Sequence, residues 1–156
     1  MKTLIINGGT IEDAFALSYI ERVKPDCILA ADRGMEFCYR NQIKPDVILG
    51  DYDSADKTIL EAFRRKSGIE WHQYQPEKDY TDSEIAIGKA MERNSSEIHI
   101  LGGTGTRLDH VLGNIQLLMQ PLAKDIPCFL IDSHNRIRLL KARTILQKSQ
   151  QFGKYV

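Results

Sequence analysis

The segment Gly50-Asp51-Tyr52-Asp53-Ser54 sets two carboxylates two residues apart behind a short apolar run. Side chains two apart in an extended chain point the same way, so Asp51 and Asp53 are expected to converge. Asp32, Asp79 and Asp82 follow neighbouring apolar runs and would meet them. Carboxylates gathered in one cleft repel each other unless a cation lies among them. An all-oxygen donor set favours Mg²⁺ or Ca²⁺ over Zn²⁺, and Mg²⁺ shared between carboxylates and phosphates is a common nucleotide-site arrangement. Asp is also abundant in turns, so GDYDS alone divides evenly between a turn and a metal site. The other acidic loops tip the balance towards metal, with Asp51, Asp53, Asp79 and Asp82 as candidate ligands. Asp82 has a structural role available in the first turn of a helix, and Thr81 has one as its N-cap. Asp79 has neither and ranks above them.

A second constellation is Gly102-Gly103-Thr104-Gly105-Thr106-Arg107-Leu108-Asp109-His110. Three glycines in four positions let backbone approach a phosphate closely and expose its N–H donors. Thr106 adds a hydroxyl, Arg107 can grip phosphate oxygens in a bidentate way, and the helix expected from about residue 108 offers an anion-favouring N-terminus. The dinucleotide fingerprint G-x-G-x-x-G fails at Leu108, and no G-K-[ST] follows for a P-loop. His72, His99, His110 and His134 lack metal-ligand spacing, and His99 lies in a strand-like run. No G-x-S-x-G occurs, so covalent serine chemistry has no support.

These loops need a frame that collects them. Short runs at residues 3–7, 27–31, 46–49, 70–74, 97–101 and 128–131, most of them continuously apolar but 70–74 interrupted by polar His72 and Gln73, read as strands covered on both faces. Between them lie helical patterns: Ile11, Phe15, Tyr19 and Val23 recur every four residues, as do Ile59 and Phe63 with Ala62 beside them. Thr81 with Glu84 forms a capping box for a helix running to about Asn94. Alternating strands and helices give an α/β fold: an open, doubly wound, mainly parallel sheet of about six strands with helices on both faces. Ligands of such sheets bind beyond the carboxyl ends of the strands, where the acidic and glycine-rich loops fall. The tail differs, reading as strands at 136–140 and 144–147 separated by a break, with no helix following. It reads either as edge strands or as the incomplete start of a C-terminal β domain, dividing the chain into residues 1–134 and 135–156.

The 156 residues suit one ordinary domain with its own core. Formal net charge is zero, which argues against a nucleic-acid partner. The apolar run after Met1 is too short for a signal peptide or a membrane span, and Cys27, Cys38 and Cys128 form no C-x-x-C pair. A cytoplasmic protein with reduced, buried thiols is the expectation.

Asn7-Gly8-Gly9, Ala31-Asp32-Arg33-Gly34, GDYDS, KDYTD and GGTGTRLDH, in this order, resemble the thiamin pyrophosphokinase family over roughly the first 135 residues. The resemblance implies Mg²⁺-dependent transfer of pyrophosphate from ATP to the hydroxyl of thiamin, releasing AMP. It implies that Asp51, Asp53 and Asp79 hold Mg²⁺ with Asp82 close by. Arg107 would stabilise the transferring group and Asp109 would position Arg107 or substrate. Asn7, Gly8, Asp32, Arg33, Gly103, Gly105 and Thr106 would serve the nucleotide. It also implies a homodimer with thiamin bound between one subunit's α/β domain and the other's β domain. Here the expected downstream serine-asparagine motif and ring-covering tryptophan are absent; Trp71, the single tryptophan, falls in a strand-like run. Truncation of the thiamin half is therefore expected. A pyrophosphokinase for another alcohol such as a pterin, a non-catalytic nucleotide-binding module, and a metal-dependent phosphohydrolase stay open beside the main reading.

Overall fold

A computed structural model describes residues 1–53, 55–75, 80–145, 147–148 and 152. Seven strands form one sheet: β1 (Lys2–Ile6), β2 (Cys27–Ala31), β3 (Val47–Gly50), β4 (Glu70–Gln73), β5 (Glu97–Leu101), β6 (Cys128–Ile131) and β7 (Arg136–Ile137). Their spatial order is β4-β3-β2-β1-β5-β6-β7. Every pair is parallel except β6 with β7. The chain winds outward from β1 to β4, then returns to the other side of β1 with β5. Strand order therefore reverses between β1 and β5, which is where a crevice opens in such sheets.

Alternate side chains along each strand feed two cores. Ile5, Leu29, Leu49, Ile100 and Leu130 pack beneath Ala86, Ile87 and Ala90 of α4 (Asp82–Glu92), with α5 (Leu108–Leu117) and the short α6 (Met119–Ala123) beside it. Leu4, Ile6, Ile48 and Ile131 pack against α1 (Asp13–Val23), α2 (Gly34–Arg40) and α3 (Lys57–Arg64) through Ala16, Tyr19, Phe37 and Phe63. Helices thus cover both faces, which is why the strands read as continuous apolar runs. Among the described residues, no helix is long and apolar enough to cross a membrane. Cys27, Cys38 and Cys128 are buried free thiols, and burial pushes Cys38 and Cys128 up to about 12.

The tail departs from its sequence pattern. Of 136–140 only Arg136–Ile137 is a strand, and it extends the main sheet antiparallel to β6. No strand includes residues 144, 145 or 147, and Leu146 lies outside the described residues. Ile145 is exposed. An apolar alternation makes a strand only where a neighbouring edge supplies hydrogen bonds, and β7 is too short to offer one.

Candidate active site at the strand-order reversal

Two backbone loops meet at the crevice. The N–H of Asn7 donates to Leu101 O (2.9 Å) and that of Gly9 to Gly102 O (3.0 Å), so the chain leaving β1 is stitched to the chain leaving β5. Gly102 has φ of 70°, and a Cβ there would collide with the Asn7 carbonyl. A residue without a side chain is required for this approach. The same loop is held from α5 by Asn114, whose Nδ2 donates to Gly103 O (2.7 Å). Asp132, at the end of β6, also hydrogen-bonds Thr104.

Around this junction opens a cleft of about 1270 Å³. Its walls bring together most of the residues singled out from sequence: Asn7, Gly8, Asp32, Arg33, Asp51, Asp82, Gly103, Gly105, Thr106, Arg107 and Asp109. Asp53 is exposed and is not part of that lining, and Asp79 lies outside the described residues. Residues 51–53 are also not extended. Tyr52 has φ of 64°, and the Asp51 carboxylate accepts from the N–H of Asp53 (3.0 Å). The argument from alternation therefore does not apply at this segment. The bend has a packing cause: the Tyr52 ring is buried and its hydroxyl donates to Ile48 O (3.1 Å) and His72 O (2.9 Å).

Arg107 and Asp109 form a bidentate pair, Nε to Oδ1 at 3.2 Å and Nη2 to Oδ2 at 2.6 Å. Both side chains are about two-thirds exposed, 67% and 63%, so the pair contributes little to stability. Its effect is orientation: a guanidinium has five N–H donors, and two engaged by Asp109 leave the others for an anion. The hydrogen bond from Arg107 holds the Asp109 carboxyl below its ordinary range. Arg33 is likewise paired, with Glu36 (3.0 and 3.3 Å). Two helix N-termini face the cleft, those of α4 and α5. Thr81 caps α4 by accepting from the N–H of Glu84 (3.2 Å), as its capping box predicts, a bond worth about 1 kcal/mol. The Glu84 side chain instead accepts from Gln120 (2.7 Å), tying α4 to α6.

Ser83 and Asn114 escape a reading of sequence alone. Their types are ordinary for helices, and only packing turns them towards the cleft. Ser83 Oγ accepts from Asn7 Nδ2 at 2.8 Å, while Asn7 Oδ1 is buried without a hydrogen-bond partner among the described residues. An unpaired buried polar atom costs about 1–3 kcal/mol.

Comparison with known proteins agrees with this geometry. The family model described as "Thiamin pyrophosphokinase, catalytic domain" matches residues 22–130. The chain belongs to the thiamin pyrophosphokinase catalytic-domain family. It is 40% identical over 114 residues to thiamine pyrophosphokinase of Bacillus subtilis, covering 71% of this chain and 51% of that protein. It is 35% identical over 88 residues to thiamine pyrophosphokinase 2 of Arabidopsis thaliana, covering 53% and 33%. The chain thus spans about half or less of the length of these curated relatives. The crystal structure of the Bacillus subtilis thiamine pyrophosphokinase superposes with a TM-score of 0.75 at 29% identity, covering 88% of this chain and 63% of that one. Yeast thiamin pyrophosphokinase shares the fold at 16% identity and a TM-score of 0.69. The family's α/β architecture is thus present, with the mainly parallel sheet expected from the apolar runs.

Proposed function

We propose that this chain carries the nucleotide and Mg²⁺ half of an enzyme that transfers pyrophosphate from ATP to the hydroxyl of thiamin, giving thiamin diphosphate and AMP. The observation that carries the reading is the cleft at the β1–β5 reversal, where a glycine-rich loop, two helix N-termini and an oriented Arg107 meet the carboxylates of Asp51 and Asp82. Membership of the family supplies the acceptor.

The donor set suits Mg²⁺. Among the described residues no group of three His, Cys, Asp or Glu side chains could hold a metal alone. Mg²⁺ commonly takes one or two carboxylates and completes its shell with water and substrate phosphates. Asp51 and Asp82 line the cleft and would serve, with Asp53 and Asp79 as the remaining candidates. Bound there, the ion would neutralise charge on the phosphate chain.

The protein's own groups then position the reaction. Backbone N–H groups of residues 102–106 and the start of α5 accommodate the phosphates, and Arg107 compensates the charge of the transferring group. The thiamin oxygen bonds to the β-phosphorus as the bond from that phosphorus to the bridging oxygen breaks. AMP leaves with the bridging oxygen, and the hydroxyl proton passes to a cleft carboxylate. In this reading the acceptor's ring contacts and a homodimeric partner lie beyond the α/β unit.

Incubation with ATP, Mg²⁺ and thiamin, followed by chromatography, tests the proposal. AMP and thiamin diphosphate in equal amounts, only with thiamin present, is the expected result. Mg-dependent ATP binding without AMP would instead favour a nucleotide-binding module, and inorganic phosphate without acceptor a phosphohydrolase. Product from a pterin alcohol and not from thiamin would reassign the acceptor.

A further inference from the structure

The half-satisfied carboxamide of Asn7 is the one buried side chain at the cleft whose hydrogen bonding is incomplete among the described residues. Asn7 is 6% exposed, lies directly after β1 at the strand-order reversal and lines the cleft. Ser83, in the first turn of α4, engages its Nδ2 and thereby fixes the plane of the amide. With Nδ2 so engaged, Oδ1 is left as an acceptor with nothing to accept. An acceptor repels phosphate oxygens, so the groups suited to it are hydroxyl or amino donors. A nucleotide carries such donors on its ribose and base, whereas an inorganic polyphosphate at neutral pH carries none of comparable strength.

We infer that Asn7, positioned by Ser83, reads a hydrogen-bond donor on the nucleoside part of the ligand, so that the pair makes the site prefer a nucleoside triphosphate to inorganic triphosphate. This rests on the nucleotide reading above and deepens it by assigning selectivity to two side chains. Asn7 is the binding residue; Ser83 acts through it.

The test measures dissociation constants by calorimetry for Mg·ATP and for Mg·tripolyphosphate. The proteins are the wild-type chain, Asn7→Leu, Ser83→Ala and Ser83→Thr, each first checked for an unchanged circular dichroism spectrum and melting temperature. Asn7→Leu is expected to weaken ATP about tenfold and tripolyphosphate less than twofold. Ser83→Ala should weaken ATP by about threefold. Ser83→Thr, which keeps the hydroxyl, should retain the wild-type value, and Ser83→Ala should leave tripolyphosphate affinity within about twofold, a selective loss that a merely structural role at the helix start would not give. Equal losses for both ligands in Asn7→Leu, or no loss for ATP, overturn the inference while leaving the nucleotide site standing. Failure of the wild-type chain to bind Mg·ATP overturns both. Should Asn7→Leu not fold, the two Ser83 variants decide the question by the same criterion.

Discussion

The two ends of the sheet are built from similar residues and used differently. At the amino ends of the strands, polar groups are paired off. Asp26 accepts from the N–H of Lys2 (2.7 Å) and Asp46 from that of Ile28 (2.8 Å). Glu70 is shared by Arg93 (2.7 Å), Lys89 (3.6 Å) and His72, and buried Thr3 meets Ser95 (2.6 Å). Left-handed non-glycine residues occur at both ends, with Lys24, Gln42, Asn94 and Asp125 in the turns that lead into strands. At the carboxyl ends Asp32 and Tyr52 share this conformation with φ of 48° and 64°, and Asn7 keeps an oxygen without a partner among the described residues. Among the described residues only the carboxyl end leaves a buried side-chain acceptor unpaired, a feature that persists where surrounding structure over-determines it. One end has its polar groups paired, and the other leaves one open beside the cleft proposed to bind the nucleotide.

Substitutions can break or sharpen this contrast. The largest effect is expected where the two demands coincide. Gly102→Val forces a side chain into a left-handed residue against the Asn7 carbonyl. It should cost about 3 kcal/mol in denaturant unfolding and abolish ATP binding as well. Asp51→Asn should weaken Mg-dependent ATP binding about a hundredfold, since the neutral amide loses the charge a cation requires. Its effect on stability should be small, because the amide oxygen can still accept from Asp53. Unchanged ATP affinity in a folded Asp51→Asn protein would remove this carboxylate from the metal site. Ser95→Ala, at the opposite end, strands the Thr3 hydroxyl and should cost about 2 kcal/mol, with ATP affinity as in the wild type. Arg107→Lys keeps the charge but loses the fork, and turnover should fall about tenfold while the melting temperature stays put.

The smallest effect concerns pH. Tyr19 Oη meets His99 Nδ1 at 2.8 Å and Glu97 Oε1 meets its Nε2 at 2.6 Å. Burial outweighs Glu97 and holds His99 below its ordinary 6.5. Below that value the unfolded chain takes up a proton that the folded chain resists. Stability is therefore full above pH 6.5 and declines as pH falls from there through the folded value. Urea unfolding of His99→Gln between pH 7.5 and 5 should show a shallower decline than the wild type, and an equal slope would discount His99.

Much of the fold was legible in sequence because burial on both faces leaves continuous apolar runs; 27–31, 97–101 and 128–131 coincide with β2, β5 and β6. The start of α4 was legible because Thr81 and Glu84 write their own signal. The tail was not, since the alternation at 144–147 says nothing about whether an edge is available. At the cleft, Arg107, Asp109 and the glycines announced themselves by type and spacing. The bend at Tyr52 depends on a hydroxyl reaching His72, twenty residues away, and the Asn7–Ser83 contact spans the crossing from β1 to α4. Neither separation leaves a local pattern.

Hydrogen exchange of the chain with and without Mg·ATP puts the account to its most direct test. Ligand-induced protection is predicted at residues 7–10, 80–84 and 102–110, with no change at 24–28, 44–47 and 95–98. Protection at the amino ends of the strands, or none anywhere at saturating ATP, would contradict it.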